Sequence, residues 1–411
     1  MNEILIDKLA ILAESAKYDV SCSSSGTERK SKGKGIGSTR SFGICHTWAA
    51  DGRCISLLKL LMTNNCIYDC SYCINRSSND VRRAAMTPEE IALITIEFYR
   101  RNYIEGLFLS SAIEKNPSDT MEKMYQILKL LRETYEFNGY VHIKAIPGAD
   151  QVLIEKCGYL ADRMSVNIEL PSSSSLKLLA PQKSFKQIMP PIAQIKNGIA
   201  KNSDDRKHYR NAPSFVPAGQ STQVIIGATL DSDKSILSVS EKLYGDYSLK
   251  RVYYSAYMPV NEGTNLPAIL TPPPLLREHR LYQADWLLRY YNFSVKELFS
   301  SDESNIDIQM DPKLYWALKN LNVFPLEINR ASFEELIRIP GIGHTSAYRI
   351  IRERRVAHLG FDNLKKTGCV IGKAKYFVTC KGKYFGEHLE GDFIRNRLVH
   401  KEDCQQISFF G

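Results

Sequence analysis

The chain has 411 residues and a net charge of +9, from 54 Lys or Arg against 45 Asp or Glu, with 44% hydrophobic residues and ten cysteines. That length suits one large catalytic domain with one or two smaller modules and a sizeable core, and it excludes a small disulfide-built scaffold. No run approaches the roughly 18 apolar residues of a membrane span, and Met1 to Lys17 carries Glu3, Asp7 and Glu14 where a signal peptide would be basic and then apolar. The expectation is a cytoplasmic, non-membrane protein whose cysteines are metal ligands or buried thiols.

In chain order, Ile4 to Tyr18 places Leu5, Leu9, Leu12 and Ala16 at helical spacing and predicts an amphipathic entry helix. Ser21 to Arg40 is dense in Ser, Gly, Lys and Arg and reads as a flexible loop or lid. From about Arg53 to Tyr291 short apolar runs alternate with helical stretches. Predicted strands are Ile55–Leu61, Gly106–Leu109, Tyr140–Ala145, Met164–Ile168, Ser221–Ile226 and Val252–Tyr257. Predicted helices are Pro88–Arg101, Thr120–Tyr135, Asp150–Gly158, Phe185–Ala200, Asp233–Tyr244 and Leu275–Tyr290. Six strand–helix repeats imply an α/β fold with a parallel sheet and crossover helices, and periodicity alone leaves its closure open.

The most informative run is Cys66-Ile67-Tyr68-Asp69-Cys70-Ser71-Tyr72-Cys73, three cysteines at C-x3-C-x2-C spacing just after the first strand. Iron–sulfur clusters are held by thiolates, and a local set of three leaves one iron of a [4Fe–4S] cluster open. A zinc site is the alternative, but zinc usually takes a second distant pair of ligands, which is not evident.

The run, with an aromatic residue just before its last cysteine, resembles the signature of radical S-adenosylmethionine (SAM) enzymes. The resemblance implies a partial (β/α)6 barrel with Cys66, Cys70 and Cys73 holding a [4Fe–4S] cluster. It also implies SAM chelated at the open iron, a one-electron reductant such as flavodoxin or ferredoxin, and a 5′-deoxyadenosyl radical that abstracts hydrogen from a substrate. Strand ends supply the expected cofactor contacts: Tyr72, then Ser110 and Ser111 where the family often has a Gly-Gly-Glu turn, Ser165, Asn167 and Glu169 on one face of the fourth strand, Gly227, and Tyr257. Several of these have plainer readings. The serine pair could cap a helix, the polar row could pair internally, and Gly227 could serve a turn. Tyr254 is a weaker neighbour of the same kind. His279, Tyr282 and Trp286 share one helical face and read as core.

From Pro312 to Gly411 there are 17 Lys or Arg against 10 Asp or Glu, so the last quarter holds +7 of the total. Such a balance suits a polyanionic partner or merely a solvated surface. Within it, Leu326 to Arg355 contains L-x-x-I-P-G-I-G-x-x-x-A-x-x-I, which resembles a helix-hairpin-helix, a module that grips nucleic-acid backbones. Its contacts would come from Pro340, Gly341, Ile342, Gly343, His344, Thr345, Arg349 and Arg352, with Arg354 and Arg355 as further counter-charge. A protein-packing αα-hairpin is the alternative. Val370 to Phe385 alternates enough for a β-hairpin, with Lys373, Lys375, Lys381 and Lys383 among Tyr376, Phe377, Tyr384 and Phe385. Cys369, Cys380 and Cys404, and Cys22, Cys45 and Cys54, are weaker metal candidates whose default reading is buried thiols.

The whole chain resembles a bacterial family of radical SAM proteins assigned to DNA modification or repair, through Cys45 to Cys54, Cys66 to Arg76 and Arg277 to Arg289. The domains expected are 1–53, an N-terminal helix and basic segment; 54–300, the barrel; and 301–411, the basic hairpin module. DNA is the expected partner, with RNA second. A nucleic-acid-binding protein with a structural or redox-sensing cluster remains the reading from another class.

Overall fold

The computed structural model describes residues 3–18, 44–48 and 54–406. The basic segment Ser21 to Arg40 and Cys22 lie outside the described residues, as do the side chains of Cys45, Cys54 and Cys404. Described residues up to Asp231 together with Lys242–Pro274 form one compact unit, and Ser232–Glu241 with Leu275 onward form a second.

The first unit opens with α1 (Glu3–Ser15), whose Leu5, Leu9 and Leu12 are buried at the predicted spacing. Next come β1 (Ile44–Trp48) and β2 (Cys54–Leu61), paired antiparallel from Ile44 against Leu58 to Trp48 against Cys54. The strand β1 was not expected. The helix α2 (Pro88–Arg100) starts at a capping box: Thr87 Oγ accepts from Glu90 N–H, and the Glu90 carboxylate accepts from Thr87 N–H. There follow β3 (Gly106–Ser110), α3 (Pro117–Lys129), β4 (Tyr140–Lys144), α4 (Gln151–Leu160), β5 (Arg163–Ser165), α5 (Ser173–Leu179), α6 (Phe185–His208), β6 (Gln220–Ile226), α7 (Asp233–Tyr247) and β7 (Arg251–Ala256). Strands β2 to β7 pair in parallel in sequence order. The strands bury apolar side chains such as Leu57, Leu58, Leu60 and Leu61 of β2, with polar residues such as Lys59, His142 and Gln223 buried among them.

This is the partial (β/α)6 arrangement expected. The fourth predicted strand ends early, at Ser165, because the Thr222 hydroxyl replaces the main-chain ladder beyond it, donating to the Val166 carbonyl and accepting from Ile168 N–H; a bridge between Glu169 and Val224 follows. The predicted helix at Thr120 begins three residues sooner because Asn116 caps it and Pro117 takes its first turn.

The second unit begins with part of α7 and takes in α8 (Leu275–Tyr290), placed with the barrel in the sequence reading. Trp286 is 51% exposed and packs on Tyr290, so the expected core face of this helix is solvated at that position. After α9 (Val295–Leu298), α10 (Pro312–Lys319) and β8 (Leu326–Glu327) comes the helical hairpin α11 (Phe333–Arg338) and α12 (His344–Glu353). A second hairpin, α13 (Phe361–Lys366) and α14 (Ile371–Ala374), precedes β9 (Val378–Cys380), β10 (Lys383–Tyr384) and α15 (Gly391–Gln406). The predicted β-hairpin therefore exists only from Val378, because Val370–Phe377 folds back helically against Gly341, whose carbonyl accepts from Val370 N–H. Among the described residues no helix is long and apolar enough to cross a membrane.

Candidate cluster and cofactor site

The loop after β2 carries Cys66, Cys70 and Cys73 into a cavity of about 520 Å³ in the first unit, at the carboxyl ends of the parallel strands. Its shape is held by main-chain carbonyls with dedicated donors. Arg83 donates to the carbonyls of Asn64, Asn75, Arg76 and Asn79. Asn261, beyond β7, donates to the carbonyls of Ser71 at 2.8 Å and Cys73 at 2.9 Å, and accepts from Asn79. Ser71 N–H donates to the Leu179 carbonyl, tying the loop to the end of α5. Inside the loop, Arg76 grips Asp69 through two bonds of 2.8 and 2.6 Å. These arginine bonds, with Ser78, hold the Asp69 carboxyl well below the ordinary value.

Burial raises the Cys70 thiol and pushes Cys73 up to about 12. Metal ligation must displace those protons. Among the described residues no three His, Cys, Asp or Glu side chains converge on one ion. A cubane asks each thiolate to reach its own iron.

Of the expected cofactor contacts, Tyr72, Ser110, Ser111, Asn167, Glu169 and Tyr257 all line this cavity. Ser110 Oγ and Asn167 Oδ1 are buried without a hydrogen-bond partner among the described residues, a costly state that a polar ligand would relieve. The serine pair is no cap, since Asn116 caps α3; Ser111 Oγ donates to the Ala112 carbonyl. Ser165 is not a lining residue; its hydroxyl meets His142 Nε2 at 3.0 Å in the barrel interior. Burial, with Arg163, Lys144 and Lys59 nearby, lowers the His142 pKa well below the ordinary value and keeps the ring neutral. Gly227 does not line the cavity either. Its φ of +83° and a Cβ position 2.7 Å from Pro274 Cγ make it a turn residue. Tyr254 is fully buried in the core.

Sequence reasoning missed Lys183, Asn261, Arg83, Lys144 and Gln223. Lys183 Nζ lies 2.8 Å from Glu169 Oε1 and 3.2 Å from the Tyr72 hydroxyl. Burial opposes its charge, but Glu169, Tyr72 and Cys70 outweigh burial and hold its pKa well above the usual lysine value. Lys144 donates to Gln223 Oε1 at 3.3 Å, and both reach the cavity. Asn261 and the Lys144–Gln223 pair are brought in by the closure of distant strands and loops, whereas Arg83 meets its carbonyls, and Lys183 meets Glu169, within 19 residues that no motif marks.

In the second unit, Pro340 and Ile342 are buried, so their side chains build the hairpin core and cannot meet a ligand. Gly341 has φ +83°. Gly341, Gly343 and His344 are half-buried, and Thr345, Arg349 and Arg352 are exposed. The His344 ring packs edge-on against Tyr291 and Phe333. Arg354, expected as counter-charge, donates to the Ile328 and Ala331 carbonyls and is a structural brace. Of the candidate stacking aromatics, Tyr376 and Phe377 are buried, while Phe385 stacks on Phe361; Lys373 pairs with Asp311 and Lys375 with Glu387. Cys369 and Cys380 are buried thiols.

A loop carrying three cysteines thus lines a cavity at the carboxyl ends of a parallel (β/α)6 sheet. Residues 60–199 match the model of the radical SAM superfamily, so the chain carries a radical SAM domain. That family uses a [4Fe–4S] cluster and S-adenosylmethionine and needs a reductant. Among solved structures, the chain is similar to the FeFe-hydrogenase maturase HydG from Carboxydothermus hydrogenoformans (14% identity, TM-score 0.42, covering 56% of this chain and 50% of that one). It is also similar to methylornithine synthase PylB (13%, 0.40, 54% and 60%) and to coproporphyrinogen III oxidase HemN from Escherichia coli (12%, 0.34, 54% and 50%). It thus spans half to three-fifths of their lengths. Likeness of this strength carries no argument about substrate. No curated protein matches the chain.

Proposed function

We propose that this protein is a radical SAM enzyme that modifies or repairs a nucleotide in DNA, with the hairpin of its second unit acting as a helix-hairpin-helix that grips the backbone. The observation that supports the cofactor half is the gathering of Cys66, Cys70 and Cys73 with the unpartnered Ser110 Oγ and Asn167 Oδ1 around one cavity. The three thiolates would hold the cluster, whose bound chemistry is one-electron cleavage of SAM to a 5′-deoxyadenosyl radical.

The chain's own residues do the rest. Ser110 and Asn167 supply the polar atoms for the amino-acid and ribose groups of SAM. The Glu169–Lys183 pair fixes the Tyr72 hydroxyl beside the last cysteine. Asn261 and Arg83 keep the loop from collapsing when its thiols lose their protons. Buried aliphatic walls from Leu61, Ile113 and Ile146 exclude water from the reacting centre.

The DNA half rests on this chain's second unit, since none of the similar structures above names a nucleic-acid substrate. At the turn from Gly341 to Gly343, the first main-chain N–H groups of α12 have no intrahelical acceptor and suit a phosphate. Contacts of this kind go to backbone phosphates, so binding should be salt-dependent with little sequence preference.

The test is 5′-deoxyadenosine formation by the anaerobically reconstituted protein, reduced chemically or by flavodoxin or ferredoxin, with damaged duplex DNA, structured RNA or neither. Stimulation by DNA supports the proposal. Stimulation by RNA alone moves the substrate to RNA, and a loaded cluster with no cleavage at all favours a structural or sensing role.

A further inference from the structure

We propose that the outer face of α12 seats an unpaired base of a single-stranded nucleic acid, with Tyr348 as the stacking platform and Arg349, Arg352 and Arg355 holding the flanking phosphates. This deepens the nucleic-acid reading above and rests on it. It is distinct from the main-chain grip at the hairpin turn, which involves no base.

Tyr348 is 64% exposed, and its ring lies against Phe333 with centroids 4.5 Å apart and planes inclined at 36°. A large aromatic side chain left this open but backed by a second ring is a rigid, pre-placed surface. Tyr348, Arg352 and Arg355 follow one another at i, i+4 and i+7, so they share one stripe of the helix and its exit. With Arg349 and Ile351 they line a surface depression of about 300 Å³. Arg352 and Arg355 are exposed and have no carboxylate partner among the described residues, and Arg349's one bond goes to the Thr367 carbonyl, which leaves its charge unneutralised. The only acidic residue on α12 is Glu353.

An aromatic face ringed by three guanidinium groups fits a ligand that alternates flat rings with negative charges. A single strand with a splayed base has that form. An acidic peptide would satisfy the arginines but leave the ring face uncovered.

The experiment uses the full chain and a short single-stranded oligonucleotide carrying 2-aminopurine, with the same oligonucleotide in duplex as the comparison, read by anisotropy and by quenching. Tyr348→Leu should weaken single-strand binding by roughly 10-fold and remove the quenching, since stacking on an aromatic is worth that order per base. Tyr348→Phe should keep both, and duplex affinity should change less than about twofold because backbone contacts dominate it. Arg352→Ala with Arg355→Ala should weaken binding and flatten its salt dependence. Wild-type binding and quenching in Tyr348→Leu would overturn the platform while leaving the nucleic-acid reading intact. Failure of the wild-type protein to bind either form would overturn both. Polyglutamate binding that responds to the arginine changes but not to Tyr348→Leu would make the patch a general polyanion surface and overturn the inference.

Discussion

Lys183 Nζ sits 2.8 Å from Glu169 Oε1 inside the cavity wall, with the Tyr72 hydroxyl 3.2 Å from the same ammonium. The pair joins Lys183, beyond α5, to Glu169 in the segment between β5 and α5, and through Tyr72 it reaches the residue before Cys73. Removing one partner of a mostly buried pair strands the other charge. Lys183→Met is therefore expected to destabilise the protein by about 3 kcal/mol, whereas the double variant Lys183→Met/Glu169→Leu should recover most of that loss. Urea denaturation of the two single variants and the double variant closes the cycle; a double-variant loss equal to the sum of the two single losses would deny the coupling.

Cys70→Ala should reduce the iron of the reconstituted protein to background and abolish 5′-deoxyadenosine formation, with the far-ultraviolet circular dichroism unchanged. The sheet has its own buried aliphatic residues outside the loop, among them Leu57, Leu107, Val141, Ile143 and Val224. A variant that failed to fold would instead give the cluster a structural role.

Asn261→Ala leaves the carbonyls of Ser71 and Cys73 without their shared donor. The expected cost is about 2 kcal/mol. It should also shorten the lifetime of the assembled cluster in air, followed by the decay of its visible absorbance. Unaltered decay would show that Arg83 alone suffices to hold the loop.

The Asp69–Arg76 pair sets an acid limit. Asp69's folded pKa is depressed below its unfolded value, so the stability it contributes is complete above the ordinary aspartate pKa of about 4 and is lost as pH falls from there through the depressed value. The difference in melting temperature between wild type and Asp69→Asn should accordingly be full at pH 7 and shrink below about pH 4. A difference that grew on acidification would refute the assignment.

Gly341→Ala puts a Cβ 2.6 Å from the Val370 carbonyl oxygen at a residue with φ +83°. Left-handed backbone costs an L-residue about 1–2 kcal/mol, and the clash adds to it, so a loss of about 3 kcal/mol is expected. Gly372→Ala, where nothing lies within 4 Å, is the control and should be near neutral. Thermal melts of both variants make the comparison.

The residues themselves determined the elements whose signals are local. The spacing of Leu5, Leu9 and Leu12 gave the entry helix, apolar runs bounded by polar turns gave β2, β3, β4, β6 and β7, and the C-x3-C-x2-C run named the class of chemistry before any coordinate. Periodicity and ligand spacing are written within a dozen residues, so they survive in one dimension. Only the tertiary structure decided what depends on residues far apart in sequence. It cut the fourth strand short at Ser165, turned Val370–Phe377 into a helical brace against Gly341, put Trp286 in solvent, and sent Ser165 and Gly227 away from the cavity. It also brought Lys183 to Glu169 and Asn261 to the cluster loop, across as many as 190 residues. A side chain's partner across that distance is set by how strands close and helices pack, and no pattern of neighbours along the chain encodes it.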